Sequence, residues 1–225
     1  MFLTENLPLL FTETRNARRV LDVGGAYAPL NTATHVIDIV DFDQRREPLD
    51  RAELTRFTRE TWSVHDICST PWPFPDKHFD FAFCSHTLED IRDPIAVCKE
   101  LSRVASAGYV ETPSRLRESF HRKRGYLLRR VVGRPIRVGF DHHRWFVEEE
   151  DGGLVFTAKT QASTHARGFF ITLAELGRDL TPRESALALW WRGELRARER
   201  LLVHSGEPLA DMRAFKARAL NALKR

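Results

Sequence analysis

The chain has 225 residues, a formal net charge of +4 and 42% hydrophobic residues, which suits one domain of moderate size with a real core. No apolar run approaches the ~20 residues that span a bilayer, and the first residues lack the basic start of a secretory signal. The three cysteines, Cys68, Cys84 and Cys98, are scattered along the chain and odd in number. This pattern is typical of reduced core cysteines and not of a set of disulfide bonds. We therefore expect a cytoplasmic protein.

The first predicted elements are a helix and two strands, and the loop between the two strands is a candidate ligand-binding loop. Residues 1–18 predict an amphipathic helix that buries Leu7, Leu9, Leu10 and Phe11. Residues 19–23 predict a strand ending at Gly24-Gly25, and residues 35–39 predict the next strand. The intervening residues 24–34 leave room for about one helical turn, whereas a dinucleotide site needs a full helix behind G-x-G-x-x-G. NAD and FAD are therefore not expected, and a ligand without phosphate, such as S-adenosylmethionine, fits better.

Carboxylates follow the next two predicted strands. Asp38 lies near the end of the second strand, where its carboxylate can accept both ribose hydroxyls, although Asp41 or Asp43 could do so instead, or all three could cap a surface loop. Residues 50–61 predict an exposed connecting helix with Leu54 and Phe57 facing inward. Residues 62–67 predict a third strand, and Asp66 at its end can accept the exocyclic amine of an adenine.

The centre of the chain predicts a strand, a helix and a second strand. Residues 79–84 are almost all apolar, as in a central parallel strand. Asp93 and Pro94 predict the N-cap and first residue of a helix that runs to Ser106. Residues 108–113 predict the following strand. Ligands of open parallel sheets bind beyond the carboxyl ends of the strands, so we expect the site there.

These motifs, in this order and at this spacing, resemble class I S-adenosylmethionine-dependent methyltransferases of the methyltransferase type 11 kind over residues 19–113. The matching segments are 21–25, Asp38, 65–67, 73–80, 84–89, 93–94 and 99–104. The resemblance implies an α/β, Rossmann-like, seven-stranded and mostly parallel sheet. It also implies an enzyme that uses S-adenosylmethionine.

The resemblance also assigns roles by position. Asp22, Gly24 and Gly25 would hold the methionine part, Asp38 the ribose, Asp66 and Ile67 the adenine, and Ser85 and His86 would face the sulfonium. For a hydroxyl acceptor, His86 is the first choice of general base and Glu111 the second, followed by Glu89 and by His142 or His143; the alternative is that His86 only organises hydrogen bonds. Three positions depart from the family pattern: Ala26 replaces a glycine, the first crossover is short, and Asp90 stands where many relatives have a histidine.

The second half of the chain changes in composition. Residues 114–137 are rich in arginine, which indicates either a helix with a solvated basic face or a binding site for an anionic acceptor. Residues 141–159 predict an antiparallel hairpin that closes the sheet. Because adjacent residues of a strand point to opposite faces, His142 and His143 are a poor metal pair, and we expect no metal. Residues 187–202 predict a partly exposed strand, and residues 208–225 an amphipathic helix.

We therefore expect one methyltransferase domain over residues 1–225, with a cofactor-binding core at 1–113 and closing strands plus an acceptor-side cap at 114–225. The leading hypothesis is methyl transfer to a small or medium acceptor, with O-methylation of a sugar or nucleotide-linked sugar favoured. An anionic or sugar small molecule is expected as partner, and nucleic acid is not. The alternatives are an RNA-directed methyltransferase that uses residues 114–137 and a non-catalytic adenosyl-binding scaffold.

Overall fold

The computed structural model describes residues 3–50, 54–121, 131, 138–160, 170–204 and 206–223. The strands are β1 (Val20–Val23), β2 (His35–Asp38), β3 (Trp62–Val64), β4 (Phe79–Ser85), β5 (Ala105–Pro113), β6 (Phe120–His121), β7 (Trp145–Glu150), β8 (Gly153–Ala158), β9 (Ile171–Thr172), β10 (Ala186–Arg192) and β11 (Ala197–Glu199). The α-helices are α1 (Leu7–Arg15), α2 (Pro94–Val104), α3 (Arg115–Glu118), α4 (Leu173–Leu176), α5 (Pro182–Ser185) and α6 (Glu207–Leu223). None of the described helices is long and apolar enough to cross a membrane.

The central sheet has the strand order β10-β5-β4-β1-β2-β3. The pairs among β1 to β5 are parallel, and β10 runs antiparallel to β5. The predicted α/β, mostly parallel fold is therefore confirmed, with six strands in this sheet among the described residues. The order reverses between β1 and β4, and the carboxyl ends of β1, β2, β4 and β5 meet at one edge, where such sheets bind ligands.

The two faces of this sheet carry separate apolar clusters because successive strand residues point to opposite sides. Phe81 and Phe83 pack with Leu10 and Phe11 of α1, while Cys84 packs with α2 on the other face. Leu9 is half exposed, so its predicted burial is wrong. The two clusters fix β4 in the middle of the domain.

Helix α2 begins as predicted. The Asp93 carboxylate accepts a hydrogen bond from the Ala96 amide at 2.9 Å, and Pro94 is the first helical residue. The helix ends at Val104 and passes directly into β5, two residues before the predicted end at Ser106. Arg103 in its last turn donates to the carbonyls of Trp72 and Phe74, which fixes the proline-rich loop that precedes β4.

Two predicted elements need correction. Residues 54–61 contain no helix. The Arg56 guanidinium instead donates hydrogen bonds to backbone carbonyls, including those of Thr14 and Thr32, and these contacts stabilise the irregular conformation of the segment. The β7–β8 hairpin exists, but it pairs with β11 in a separate sheet. The antiparallel edge of the central sheet is β10, where Trp191 lies against Gly108 of β5.

Helix α6 matches the predicted C-terminal amphipathic helix and buries Met212. Buried Arg115 joins it to the hairpin, because its guanidinium pairs with both Glu148 of β7 and Asp211 of α6. Arg115 is therefore part of the fold and cannot serve an anionic acceptor. Most of the basic segment, residues 122–130 and 132–137, lies outside the described residues.

Candidate active site

The loop after β1 is the first part of the site. Gly24 has a left-handed backbone (φ 75°), and residues 25–27 form one 3-10 turn instead of a full helix, as the short crossover predicted. A Cβ atom on Gly24 would collide with the Thr87 side chain, and one on Gly25 would collide with the Asp22 carboxylate. Glycine is therefore required at both positions, by conformation at Gly24 and by close packing at both.

Asp22 lies buried beneath this loop. Its Oδ2 accepts a hydrogen bond from the Leu30 amide at 2.7 Å, and its buried Oδ1 has no hydrogen-bond partner among the described residues. Burial raises the pKa of Asp22 to about 7; the Leu30 amide opposes this rise and the nearby charge of Asp38 adds to it. The orphaned oxygen is thus an acceptor that a ligand with an ammonium or N–H group could satisfy.

Asp38 ends β2 and organises the same loop. Its Oδ2 accepts from the Ala26 amide at 2.9 Å and its Oδ1 from the Val40 amide at 2.8 Å. The carboxylate also lies on the wall of a cavity of about 370 Å³. Each carboxylate oxygen retains a second lone pair, so Asp38 can still accept hydrogen bonds from a ligand hydroxyl. The alternative Asp41 instead caps the 3-10 turn at residues 42–44 by accepting from the Asp43 amide.

The cavity of about 370 Å³, called the larger cavity below, is lined by most of the binding residues predicted at the strand ends. Asp66 stands on its wall beside Ile67, and Arg92 donates to the Asp66 Oδ2 at 2.7 Å. The hydrogen bond from Arg92, with help from the Cys68 amide, lowers the pKa of Asp66. The cavity is lined by Gly24, Tyr27, Asp38, Ile39, Val40, Asp66, Ile67, Cys68, His86, Thr87, Asp90, Ile91, Arg92 and Arg144.

His86 follows β4 in a left-handed backbone conformation (φ 51°), which is uncommon outside glycine. Its amide donates to the Glu111 carbonyl at 2.8 Å, its Nε2 lies 3.3 Å from the Glu111 Oε1, and its Nδ1 lies 3.4 Å from the Glu89 Oε1. Burial lowers the pKa of His86, but the contacts with Glu111 and Glu89 outweigh it and raise the pKa to about 9. The imidazole therefore carries a proton at neutral pH.

Glu111 lies fully buried on β5 behind His86. Its carboxylate accepts hydrogen bonds from the Leu3 amide at 2.9 Å and from the Tyr109 hydroxyl, in addition to its contact with His86. It does not line the larger cavity or either of the two smaller ones next to His86. A carboxylate so enclosed can position His86, but it has no access to an acceptor in these cavities.

His86 lies at the junction of three cavities. Besides the larger one, it lines a cavity of about 290 Å³ with Asp22, Gly24, Gly25 and Ser85. It also lines a third cavity of about 230 Å³ on the side of α3 and α5. The other residues of this third cavity are Pro113, Arg117, Phe140, Asp179, Leu180, Pro182 and Ser185.

The structure thus brings the predicted Asp22, Gly24, Gly25, Asp38, Asp66, Ile67, Ser85 and His86 to one edge of the sheet. Sequence reasoning missed Arg92, which pairs with Asp66, and Thr87, which packs against Gly24. Both follow β4 closely in the chain, which is the one signal that could have found them. It also missed the third cavity, whose walls come from segments far apart in sequence.

The histidine pair does not lie in a strand. His142 and His143 precede β7 in a turn, with ring centroids 4.4 Å apart. The expectation that they point to opposite faces of a strand is therefore wrong, because the strand begins only at Trp145. Asp90 approaches the same pair, so that ligand atoms of all three residues lie within 4.8 Å of one another.

The profile of a protein family described as "Methyltransferase domain" matches residues 21–110, a segment that runs from β1 into β5 and includes the loop after β1. The match covers the residues that carry the predicted resemblance, and the recognition made from the sequence is confirmed. No curated protein matches this chain.

Solved structures give weaker likenesses. An S-adenosylmethionine-dependent methyltransferase from Mesorhizobium loti is 13% identical with a TM-score of 0.37, over 70% of this chain and 65% of that one. One from Aquifex aeolicus is 19% identical with a TM-score of 0.37, over 51% and 65%. The N-terminal domain of EvdMO1, solved with S-adenosylhomocysteine and D-fucose, is 14% identical with a TM-score of 0.35, over 84% and 66%. This chain thus spans less than two thirds of the length of the Mesorhizobium loti and Aquifex aeolicus proteins.

Proposed function

Residues 21–110 form a class I S-adenosylmethionine-dependent methyltransferase domain, and on that premise we propose that the protein transfers a methyl group to a small or medium acceptor. The observation that carries the proposal is the place of His86, which lies between the cavities beside Asp38 and Gly24 and the third cavity beside Arg117. Methyl transfer is an in-line displacement, so it requires donor and acceptor on two sides of one point.

The residues present fit S-adenosylmethionine, which supplies an activated methyl group on a cationic sulfur. Asp22 offers an orphaned buried oxygen, and the two glycines keep the loop open where side chains would fill it. A binding loop without a full helix suits a ligand without phosphate. We propose that Asp22, Gly24 and Gly25 hold the methionine part, Asp38 the ribose and Asp66 with Ile67 the adenine. Ser85 and His86 then face the methyl group.

We assign His86 as the general base for a hydroxyl acceptor and Glu111 as the residue that positions it. The contact with Glu111 fixes the ring, while the access of His86 to the third cavity lets it reach an acceptor. Because the pKa of His86 is about 9 in the free protein, the unprotonated form that can accept a proton increases as the pH rises toward that value.

The third cavity supports a sugar or nucleotide-linked sugar as the acceptor class. Arg117 on its wall can pair with a phosphate or carboxylate, and Asp179 can accept hydrogen bonds from hydroxyls. Phe140 lies beneath the Arg117 guanidinium, 4.9 Å from ring centroid to Cζ, and offers an apolar surface. These features favour O-methylation of a hydroxylated, negatively charged small molecule.

A screen of acceptor classes by mass spectrometry tests this proposal. We expect methylated product and S-adenosylhomocysteine with hydroxylated sugars or nucleotide-linked sugars, increasing with pH up to about 9, and a loss of that increase in His86→Gln. Product with RNA alone would favour the RNA-directed alternative, whose basic segment lies mostly outside the described residues. Cofactor binding without turnover on any acceptor class would favour a non-catalytic adenosyl-binding scaffold.

A further inference from the structure

A cluster of three side chains that could bind a metal ion lies at the wall of the larger cavity. Asp90 follows β4 and lines that cavity, and His142 and His143 come from the turn before β7. One ligand atom from each of the three residues lies within 4.8 Å of the others. Two imidazoles and one carboxylate form a donor set that binds divalent transition metals and leaves coordination positions open.

His143 is oriented as a metal ligand would be. Its Nδ1 lies 2.6 Å from the Glu118 Oε1, and Glu118 is held in turn by the Lys159 ammonium at 2.7 Å. A carboxylate that accepts from one ring nitrogen leaves the other nitrogen as the coordinating atom and raises its basicity. The positive charge of Lys159 balances the negative charge of Glu118, so this buried pair adds no net charge beside His143.

The Asp90 carboxylate meets the second nitrogen of His143. The Asp90 Oδ1 lies 3.6 Å from the His143 Nε2, which is too long for a hydrogen bond. This oxygen is buried and has no hydrogen-bond partner among the described residues. Two ligand atoms at ~2.1 Å from a tetrahedral zinc ion lie roughly 3.4 Å apart, so the observed separation needs little adjustment.

The third ligand is less constrained. His142 is exposed, and its ring meets those of His143 and Phe140 edge-on, with centroids 4.4 Å and 6.0 Å away. Phe140 also packs on the His143 ring at 4.6 Å. An exposed imidazole can rotate toward an ion at low cost, whereas His143 and the buried oxygen of Asp90 already face each other.

We propose that Asp90, His142 and His143 bind one divalent transition metal ion of the Zn²⁺ class, with Glu118 as the positioning partner of His143. The site goes beyond methyl transfer itself, because metal binding requires neither cofactor nor acceptor. If the proposed function also holds, the ion lies at the wall of the cofactor cavity and next to Phe140 of the third cavity, and its open positions could take an oxygen atom of the acceptor.

Calorimetry with Zn²⁺ on untagged, metal-free protein tests the proposal, and the visible absorption of bound Co²⁺ reports coordination by nitrogen. We expect one ion per chain, and a loss of affinity of at least about 100-fold in His142→Ala and in Asp90→Asn. His142 is exposed, so its replacement leaves folding intact. The control is His204→Ala, an exposed histidine beyond β11, which should bind as the wild type does.

Equal affinity in the wild type and in His142→Ala, or an equal loss in His204→Ala, overturns the proposal. As a second measurement, Glu118→Gln should weaken Zn²⁺ binding by about 10–100-fold and change the Co²⁺ absorption spectrum. Binding is measured without S-adenosylmethionine, so its failure is distinct from a failure of the methyltransferase proposal. That proposal fails only if no acceptor is methylated at any metal concentration.

Discussion

Glu111 on β5 contacts His86 through both its backbone and its side chain. Its carbonyl accepts from the His86 amide at 2.8 Å and its carboxylate oxygen lies 3.3 Å from the His86 Nε2. The backbone contact supports the left-handed turn that carries the ring, and the side-chain contact fixes the ring's direction and protonation. Glu111 on β5 thus helps to determine both the position and the charge of His86, which follows β4 and lies between the cavities.

Removal of this carboxylate should release the proton of His86. In Glu111→Gln, we expect the pKa of His86 to fall from about 9 toward its ordinary value of 6.5, because the largest contribution that raises it is lost. NMR titration of the ring measures this directly. The control is Tyr109→Phe, which removes the Tyr109 hydrogen bond to Glu111 but leaves the pair with His86. A pKa near 9 in Glu111→Gln would show that Glu111 is not the cause.

Replacement of Asp38 and of Asp41 distinguishes two of the three candidates for the ribose contact. We expect Asp38→Ala to weaken S-adenosylmethionine binding by about 10–100-fold, since hydrogen bonds to a charged group contribute roughly 1.5–3 kcal/mol. Asp41→Ala is the matched control, because this exposed carboxylate caps only the 3-10 turn at residues 42–44. Calorimetry gives both affinities. An equal loss in the two variants would mean that the effect is electrostatic and not a contact with Asp38.

Gly24 has both a left-handed backbone and a close neighbour. Gly24→Ala should lower the thermal midpoint more than Gly193→Ala does, because both positions have positive φ but only the first new Cβ meets a side chain. We expect about 1–2 kcal/mol, or roughly 2–4 °C per kcal/mol, from the shared backbone strain and a further loss at Gly24 from the clash with Thr87. Scanning calorimetry of the two variants tests the difference, which should be absent if Thr87 simply moves aside.

Asp22 makes stability depend on pH. Its pKa is about 7 in the folded protein and 3.8 ordinarily, so its contribution is complete below pH 3.8 and is lost as the pH rises through about 7. Between pH 5 and pH 8, the wild type should lose about 2–3 kcal/mol relative to Asp22→Asn, whose amide oxygen can still accept from Leu30. Denaturant unfolding at several pH values gives both curves. Parallel curves would show that Asp22 ionises normally.

Arg115 connects the hairpin to the C-terminal helix. Arg115→Ala removes the buried guanidinium between Glu148 and Asp211, whereas Arg200 still pairs with Glu148 at 2.7 Å, so we expect a loss of up to about 3 kcal/mol in the free energy of unfolding. Arg198→Ala is the control: it removes a largely exposed pair with Glu150 and should cost about 1 kcal/mol or less. If urea unfolding shows similar losses of unfolding free energy in the two variants, the buried ion pairs of Arg115 do not stabilise the contact between the hairpin and the C-terminal helix.

Local pattern alone was enough to bring the residues predicted to bind the cofactor to one edge of the sheet. The glycines at 24 and 25, the acids at 22, 38 and 66 and the polar residues after β4 each follow an apolar strand, and parallel strands bring such ends to one edge. The order of motifs also identified the family, whose profile matches residues 21–110. Helix α2 was predictable for the same reason, since Asp93, Pro94 and the apolar spacing act within a few residues.

The tertiary structure decided what depends on long-range contacts. Arg56 donates to carbonyls of distant segments and favours an irregular path for residues 54–61, part of the segment expected to be helical. Asp90, His142 and His143 meet only because the β7–β8 hairpin folds back over the end of β4. The charge of His86 depends on Glu111 of the next strand, whose distance no pattern in either strand reveals. The sequence by itself determined the fold class and the resemblance to the family, because both follow from local periodicity and strand-end chemistry. Burial and pairing across the fold decided which side chains are charged and which of them line the cavities.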